Sequence, residues 1–274
     1  MTATRKRQTA MIWFLTVVIT VSSALYQRLT GPTYPVRGST TIGDETIKYK
    51  LLRTNYSSSD AAIKILAEND RLTGELRWRR LKSYDDWQVD SLKREGNNLL
   101  AVIPKQPPAG KIAYQITLID DKGIKYQLSE EPVVIRFKGD VPIFILIPHV
   151  LAMFISMLLC TRTGLEAIYK REKSYRFALW TAALFFLGGI ILGPIVQKFA
   201  FGAFWTGWPL GSDLTDNKTA VAMLGWLLAL WRGRDLKKGR KWFIIAAALQ
   251  LLIFLIPHSM FGSELDYTQI DQQY

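Results

Sequence analysis

The chain has 274 residues, 49% hydrophobic and 21% charged, with a formal net charge of +12 and a single cysteine. That apolar fraction is common in soluble domains, so the average excludes little. One cysteine excludes an intrachain disulfide framework, and the placement of the basic residues argues against nucleic acid as the reason for the charge.

The apolar residues cluster in runs at 11–26, 141–160, 178–196, 219–231 and 242–261. A helix needs about 20 apolar residues to cross a bilayer core of roughly 30 Å. The second, third and fifth runs reach that length, and the first and fourth do so with flanking residues, so the pattern predicts about five transmembrane helices. Arg5, Lys6 and Arg7 precede the first run. Arg162, Lys170, Arg171, Lys173 and Arg176 lie between the second and third, and Arg232, Arg234, Lys237, Lys238, Arg240 and Lys241 between the fourth and fifth. The segment joining runs three and four has only Lys198 and Lys218, and no Lys or Arg follows His258. This is the positive-inside asymmetry. It predicts a cytoplasmic N-terminus, with residues 27–140, the 197–218 loop and the C-terminus on the opposite side. The basic loops also suit anionic lipid headgroups. Ser22-Ser23-Ala24 offers a signal-peptide cleavage site. Tyr26-Gln27-Arg28, an aromatic and a charge at a membrane edge, favours a retained anchor.

After the first run comes Thr30-Gly31-Pro32-Thr33-Tyr34-Pro35, an extended leash. Alternation then begins. Ile47, Tyr49 and Leu51 alternate with Lys48 and Lys50, Ile63 and Ile65 flank Lys64, and Leu76 and Trp78 alternate with Arg77 and Arg79. Trp87 and Val89 follow, then Leu99, Ala101 and Ile103, then Ile112, Tyr114, Ile116 and Leu118, and finally Val133, Ile135 and Phe137. Period two with one apolar face predicts half-buried strands, and turn clusters such as Glu95-Gly96-Asn97-Asn98 and Asp120-Asp121-Lys122-Gly123 separate them. About seven or eight short strands in about 100 residues predict an immunoglobulin-like or fibronectin-III-like sandwich between the first two spans. Trp87, Tyr114 and Ile135 are its expected core on facing sheets. Arg77, Arg79 and Arg80 form either a basic binding face or a charged strand that resists aggregation. The predicted organisation is residues 1–29 as N-terminus and first span, 30–139 as the periplasmic sandwich, 140–262 as a four-helix membrane bundle, and 263–274 as a periplasmic tail.

The two histidines both follow Ile-Pro: Ile147-Pro148-His149 and Ile256-Pro257-His258. At 1.5 Å per residue, His149 lies about 20 Å, and His258 about 26 Å, from the cytoplasmic ends of their predicted spans. Both therefore fall in the outer leaflet at similar depth, where ionisable groups are costly and tend to be functional. Asp213 and Asp216 fall at the start of the fourth span, Asp213 as a cap, and Glu264 and Asp266 follow His258. Two imidazoles with up to four carboxylates suit a divalent metal ion, and two histidines on different helices also suit a b-type haem. The candidate ligands are thus His149, His258, Asp213, Asp216, Glu264 and Asp266. The bland alternative is a structural polar cluster of caps and solvated groups. The aromatic stretch from Lys198 to Pro209 reads as an interfacial belt or as a lid over that cluster. Gly188-Gly189 and Gly193-Pro194 allow close helix packing and a bend. Cys160 reads as a small packing residue.

Thr30–Pro35, Pro107–Lys111, Val133–Gly139, Ile147-Pro148-His149, Gly164–Ala167, Leu214–Thr219 and His258–Tyr267 together resemble a family of bacterial polytopic inner-membrane proteins of uncharacterised activity, with an immunoglobulin- or fibronectin-III-like periplasmic domain. The resemblance implies a bacterial inner membrane and a periplasm; it implies no substrate or site residue. No nucleophile–base or phosphate-binding motif is legible, so no catalytic residue is assigned. The first functional expectation is a non-enzymatic subunit or scaffold whose β-domain binds a periplasmic or membrane protein partner. The second is a metal- or haem-binding membrane protein, redox-linked or enzymatic. A transporter fits less well, because no inverted repeat is visible.

Overall fold

The computed structural model of the chain describes residues 3–211, 213–257 and 264–270. It divides into two compact units. The helical unit comprises Met1–Pro32, Val141–Phe199 and Ala203–Gly262, and the β unit Thr33–Asp140, Ala200–Gly202 and Ser263–Tyr274.

The described residues form helices α1 (Ala3–Thr30), α2 (Ile143–Ile168), α3 (Ser174–Phe201), α4 (Leu214–Arg232), α5 (Leu236–Leu255) and the short α6 (Tyr267–Ile270). Three are long and apolar enough to cross a membrane: Thr4–Thr30, Ile143–Ile168 and Ser174–Phe201. That fits a membrane protein and corrects the five-span expectation. The physical reason lies in the two remaining helices. α4 has only 19 residues and carries Asp216, Lys218 and Arg232. α5 has 20, but its first two turns contain Lys237, Lys238, Arg240 and Lys241. In chain order, one N-terminal helix precedes the β region and the other long helices follow it. This arrangement replaces the expected sandwich inserted into a five-span bundle.

Polar side chains inside the helical unit find partners on neighbouring helices. The Thr20 and Thr161 hydroxyls meet at 3.3 Å, as do those of Thr163 and Thr181. The Ser156 hydroxyl donates to the Thr181 carbonyl at 3.0 Å, and Trp226 Nε1 donates to the buried Gln250. Such pairs link helices where apolar packing alone gives little direction. Cys160 is buried, with Sγ 3.6 Å from the Ala247 carbonyl, as expected of a packing residue.

α3 is not uniform. Phe186–Leu192 is a π-helical stretch. Pro194 has no N–H to donate back along the helix, and Gly193 N–H reaches the carbonyl of Gly188 instead. Gly188 and Gly189 are required by packing. A Cβ on Gly188 would lie 2.9 Å from Met153 Sδ on α2, and one on Gly189 2.9 Å from Thr219 Cγ2 on α4.

Among the described residues the β unit has eleven strands in three sheets. β1 (Val36–Ile42) and β2 (Glu45–Leu51) form a two-stranded hairpin. β4 (Ala61–Leu66), β8 (Asn98–Ile103) and β7 (Lys93–Glu95) form a second sheet in that order. The third runs β3 (Thr54–Tyr56), β11 (Val133–Lys138), β9 (Lys111–Ile119), β5 (Thr73–Arg80), β6 (Gln88–Ser91), with β10 (Lys125–Gln127) also paired to β9. β3 and β11 pair in parallel, and the other strand pairs are antiparallel. The alternation seen in the sequence becomes burial: β4 is buried at Ala61, Ile63 and Ile65 and exposed between them. A single core joins all three sheets, with Ile47, Leu51, Ile63, Ile65, Leu76, Ile103, Ile116, Ile135 and Phe137 within it.

Tyr114 and Ile135 are fully buried. They do not face each other from opposite sheets, because β9 and β11 are hydrogen-bonded neighbours, with Val133 opposite Tyr114 and Ile135 opposite Ile112. Tyr114 Oη donates to the Leu52 carbonyl at 2.8 Å, and burial pushes its phenol pKa well above the usual range. Trp87 is only half-buried and lies outside the core.

Candidate functional site

His149 follows Pro148 within α2. Its Nδ1 lies 2.9 Å from the carbonyl oxygen of Gly188 in the π-helical stretch. A carbonyl can only accept, so Nδ1 carries the proton, and in the neutral form of the ring the lone pair is on Nε2. This is the tautomer in which a histidine ligates through Nε2 while its other nitrogen fixes the ring. π-helical turns recur at functional sites. His258 lies outside the described residues.

Asp213 and Asp216 serve the start of α4. Asp213 is its N-cap and accepts from Thr215 N–H at 2.7 Å, as its sequence position predicts. One oxygen of the buried Asp216 accepts from Thr206 N–H at 2.7 Å, Gly207 N–H at 3.0 Å and Gln197 Nε2 at 3.0 Å. Asn217 Oδ1 accepts from Trp208 N–H at 2.6 Å. Together these acceptors hold the aromatic loop. Its tip is presented outward, with Trp208 78% and Leu210 77% exposed. Lys218 Nζ donates to the Ile256 carbonyl at 2.9 Å.

Glu264 and Asp266 belong to the β unit. Glu264 Oε2 pairs with Lys111 at 3.3 Å and Lys82 at 3.5 Å. Asp266 accepts from the hydroxyl and N–H of Thr268, and the hydroxyl bond holds its carboxyl below the usual range. Among the described residues, no three His, Cys, Asp or Glu side chains gather as a metal-ligand group. Each of these four carboxylates already accepts hydrogen bonds or ion pairs from the protein.

A buried charge cluster escaped the sequence reading. Arg162 Nη2 donates to Glu166 Oε1 one helical turn away, and both side chains are buried. Arg171 Nε lies 3.3 Å from Glu166 Oε2, and Arg171 Nη2 donates to Thr9 Oγ1 at 2.8 Å. The Arg162 guanidinium also stacks on Trp13 of α1 and Phe177 of α3, at 4.6 and 5.4 Å. The cluster ties α1, α2 and α3 together, and a buried guanidinium is best held in this way, by a carboxylate and aromatic faces. The signal available in sequence was the i, i+4 spacing of Arg162 and Glu166.

On the β unit, Arg77 and Arg79 both project from β5 onto the indole of Trp87, at 4.5 and 4.8 Å from the ring centre. Arg80, the next alternate position's neighbour, is engaged by Asp85 at 2.6 Å. Arg77 and Arg79 therefore form an exposed cationic strip ordered by a tryptophan.

Comparison of the chain with protein-family models and with curated proteins finds no match.

Proposed function

We propose that this protein is a non-enzymatic, membrane-anchored subunit or scaffold of a bacterial inner membrane, whose β unit binds a protein partner in the periplasm. The observation that supports this reading is the Arg77–Trp87–Arg79 strip, two exposed arginines held over a tryptophan, on a chain that also bears three span-length apolar helices. Arginine and tryptophan are the residue types that concentrate binding energy at interfaces. The orientation follows from Arg5, Lys6 and Arg7 ahead of α1 and from Lys170, Arg171, Lys173 and Arg176 around the α2–α3 turn, which favour the cytoplasm. The test is copurification of tagged protein from mild detergent. A periplasmic or membrane partner should copurify and be lost from the Arg77→Ala/Arg79→Ala variant. A protein recovered alone under every mild extraction would contradict the reading.

One observation favours a second reading, a metal- or haem-binding membrane protein: the Nδ1–H of His149 is fixed by a carbonyl, leaving Nε2 as a ligand. That reading requires bound metal or a Soret band in purified protein, lost in His149→Ala.

A further inference from the structure

We propose that the β unit carries a second site, a groove that binds a small phosphate-bearing polyanion, formed by the β1–β2 hairpin beside the edge strand β4. The groove has a volume of ≈ 650 Å³ and is lined by Arg37, Lys48, Lys50 and Lys64, with Tyr49 and Asn98 among its walls. That volume lies in the range of small-molecule sites. Among the described residues no carboxylate lines it.

Three features separate this groove from an ordinary solvated face. The first is register. Arg37 stands directly opposite Lys50, and Ser39 opposite Lys48, on one face of the hairpin. Like charges directly opposite each other weaken a strand pair. The hairpin thus keeps an unfavourable pair where an acidic residue would relieve it. The second is the absence of local neutralisation. Among the described residues none of the four cations makes an ion pair, and Arg37 instead stacks on Tyr34 at 5.8 Å. Glu45 is in the same hairpin, but its carboxylate accepts from Glu68 and Asn69 N–H groups at 2.8 and 3.2 Å. It also lies at the turn end of the ladder, about 17 Å along the strand from the Arg37–Lys50 pair at 3.4 Å per residue. The third is a fixed scaffold. On the hairpin face opposite the Arg37–Lys50 pair, Tyr49 lies so close over Gly38 that a Cβ there would meet its hydroxyl at 2.3 Å, so glycine lets the ring settle across the hairpin that carries the cations.

The chemistry selects the ligand class. A guanidinium fork and three ammonium groups around one concavity match an anion carrying several phosphate oxygens. Lys48 and Lys50 are two residues apart on one strand, so their side chains leave the backbone about 7 Å apart. That spacing suits successive charged groups of one ligand better than a single monoanion. The groove is distinct from the Arg77–Trp87–Arg79 strip and does not depend on a protein partner.

The test is calorimetric titration of the full chain in detergent with inorganic tripolyphosphate. Saturable binding near one equivalent is expected. The Arg37→Gln/Lys50→Gln variant should bind at least tenfold more weakly, while Arg77→Gln/Arg79→Gln stays within about twofold. Because Lys50→Gln removes a like-charge pair, its melting temperature without ligand should equal or exceed that of the unaltered protein, and the rise on adding tripolyphosphate should be lost. Arg37→Lys, which keeps the charge, should retain most of the binding. The proposal is overturned if the unaltered protein shows no saturable binding. It is equally overturned if the Arg77/Arg79 variant loses as much affinity as the Arg37/Lys50 variant, since the attraction would then be diffuse.

Discussion

Asp216 concentrates on one oxygen the donors that shape the loop before α4. Hydrogen bonds to a charged acceptor are typically worth about 1.5–3 kcal/mol. Asp216→Ala should therefore lower stability by an amount of that order and alter the emission of Trp205 and Trp208, with Asp216→Asn intermediate. Unchanged melting and fluorescence would show that the loop is held by other contacts. The residue type and helix position of Asp213 and Asp216 were legible in the sequence, because a cap is a local pattern. The donors to Asp216 were not, since Gln197 and Thr206 reach it through a loop whose path no periodicity encodes. Asp85 gives a pH prediction. Its hydrogen bonds and ion pair with Arg80 hold its carboxyl below the usual range, partly opposed by burial. A folded-state value below the unfolded one means that the contribution is complete above the unfolded carboxylate pKa and is lost as pH falls through the folded value. Asp85→Asn should accordingly flatten the acid limb of the stability profile; an unchanged acid limb would show that the pair contributes nothing.

At the scale of elements, strands such as β2, β4, β8 and β9 were legible because one apolar face repeats with period two. Their division into three sheets was not. Alternation specifies which side chains turn inward, and says nothing about which strand edges pair, so the parallel β3–β11 contact and the separate β1–β2 hairpin left no sequence trace. Tyr114→Ala in the full chain should cost about 3–5 kcal/mol, the range for emptying a buried aromatic site; a melting temperature equal to that of the unaltered protein would contradict its place in the core. The glycines of α3 were legible as close-packing residues, whereas the π-helical turn they occupy was not. Gly188→Ala forces a methyl toward Met153 and Ala152 and should destabilise by about 1–3 kcal/mol. If His149 depends on that turn, the same variant should also change the reactivity of its imidazole toward diethyl pyrocarbonate.

For the whole molecule, hydrophobic run length pointed to a membrane protein with a folded β region, which three span-length apolar helices fit, but it overcounted spans. It gave weight to apolar length alone, while the polar residues of α4 and the basic start of α5 leave those helices short of a span. The charge was legible as a total and misleading as a clue to function until its positions were separated into a turn, a strip and a groove. The central claim is a protein anchored by apolar helices that presents its β unit outside the cytoplasm. It is tested most directly by labelling intact cells with a membrane-impermeant maleimide, using single-cysteine variants on a Cys160→Ser background. Ser58 lies at an exposed turn of the β unit and Glu172 at the exposed α2–α3 turn. The account predicts that Ser58→Cys is labelled in intact cells and Glu172→Cys only after permeabilisation; the reverse pattern would contradict it.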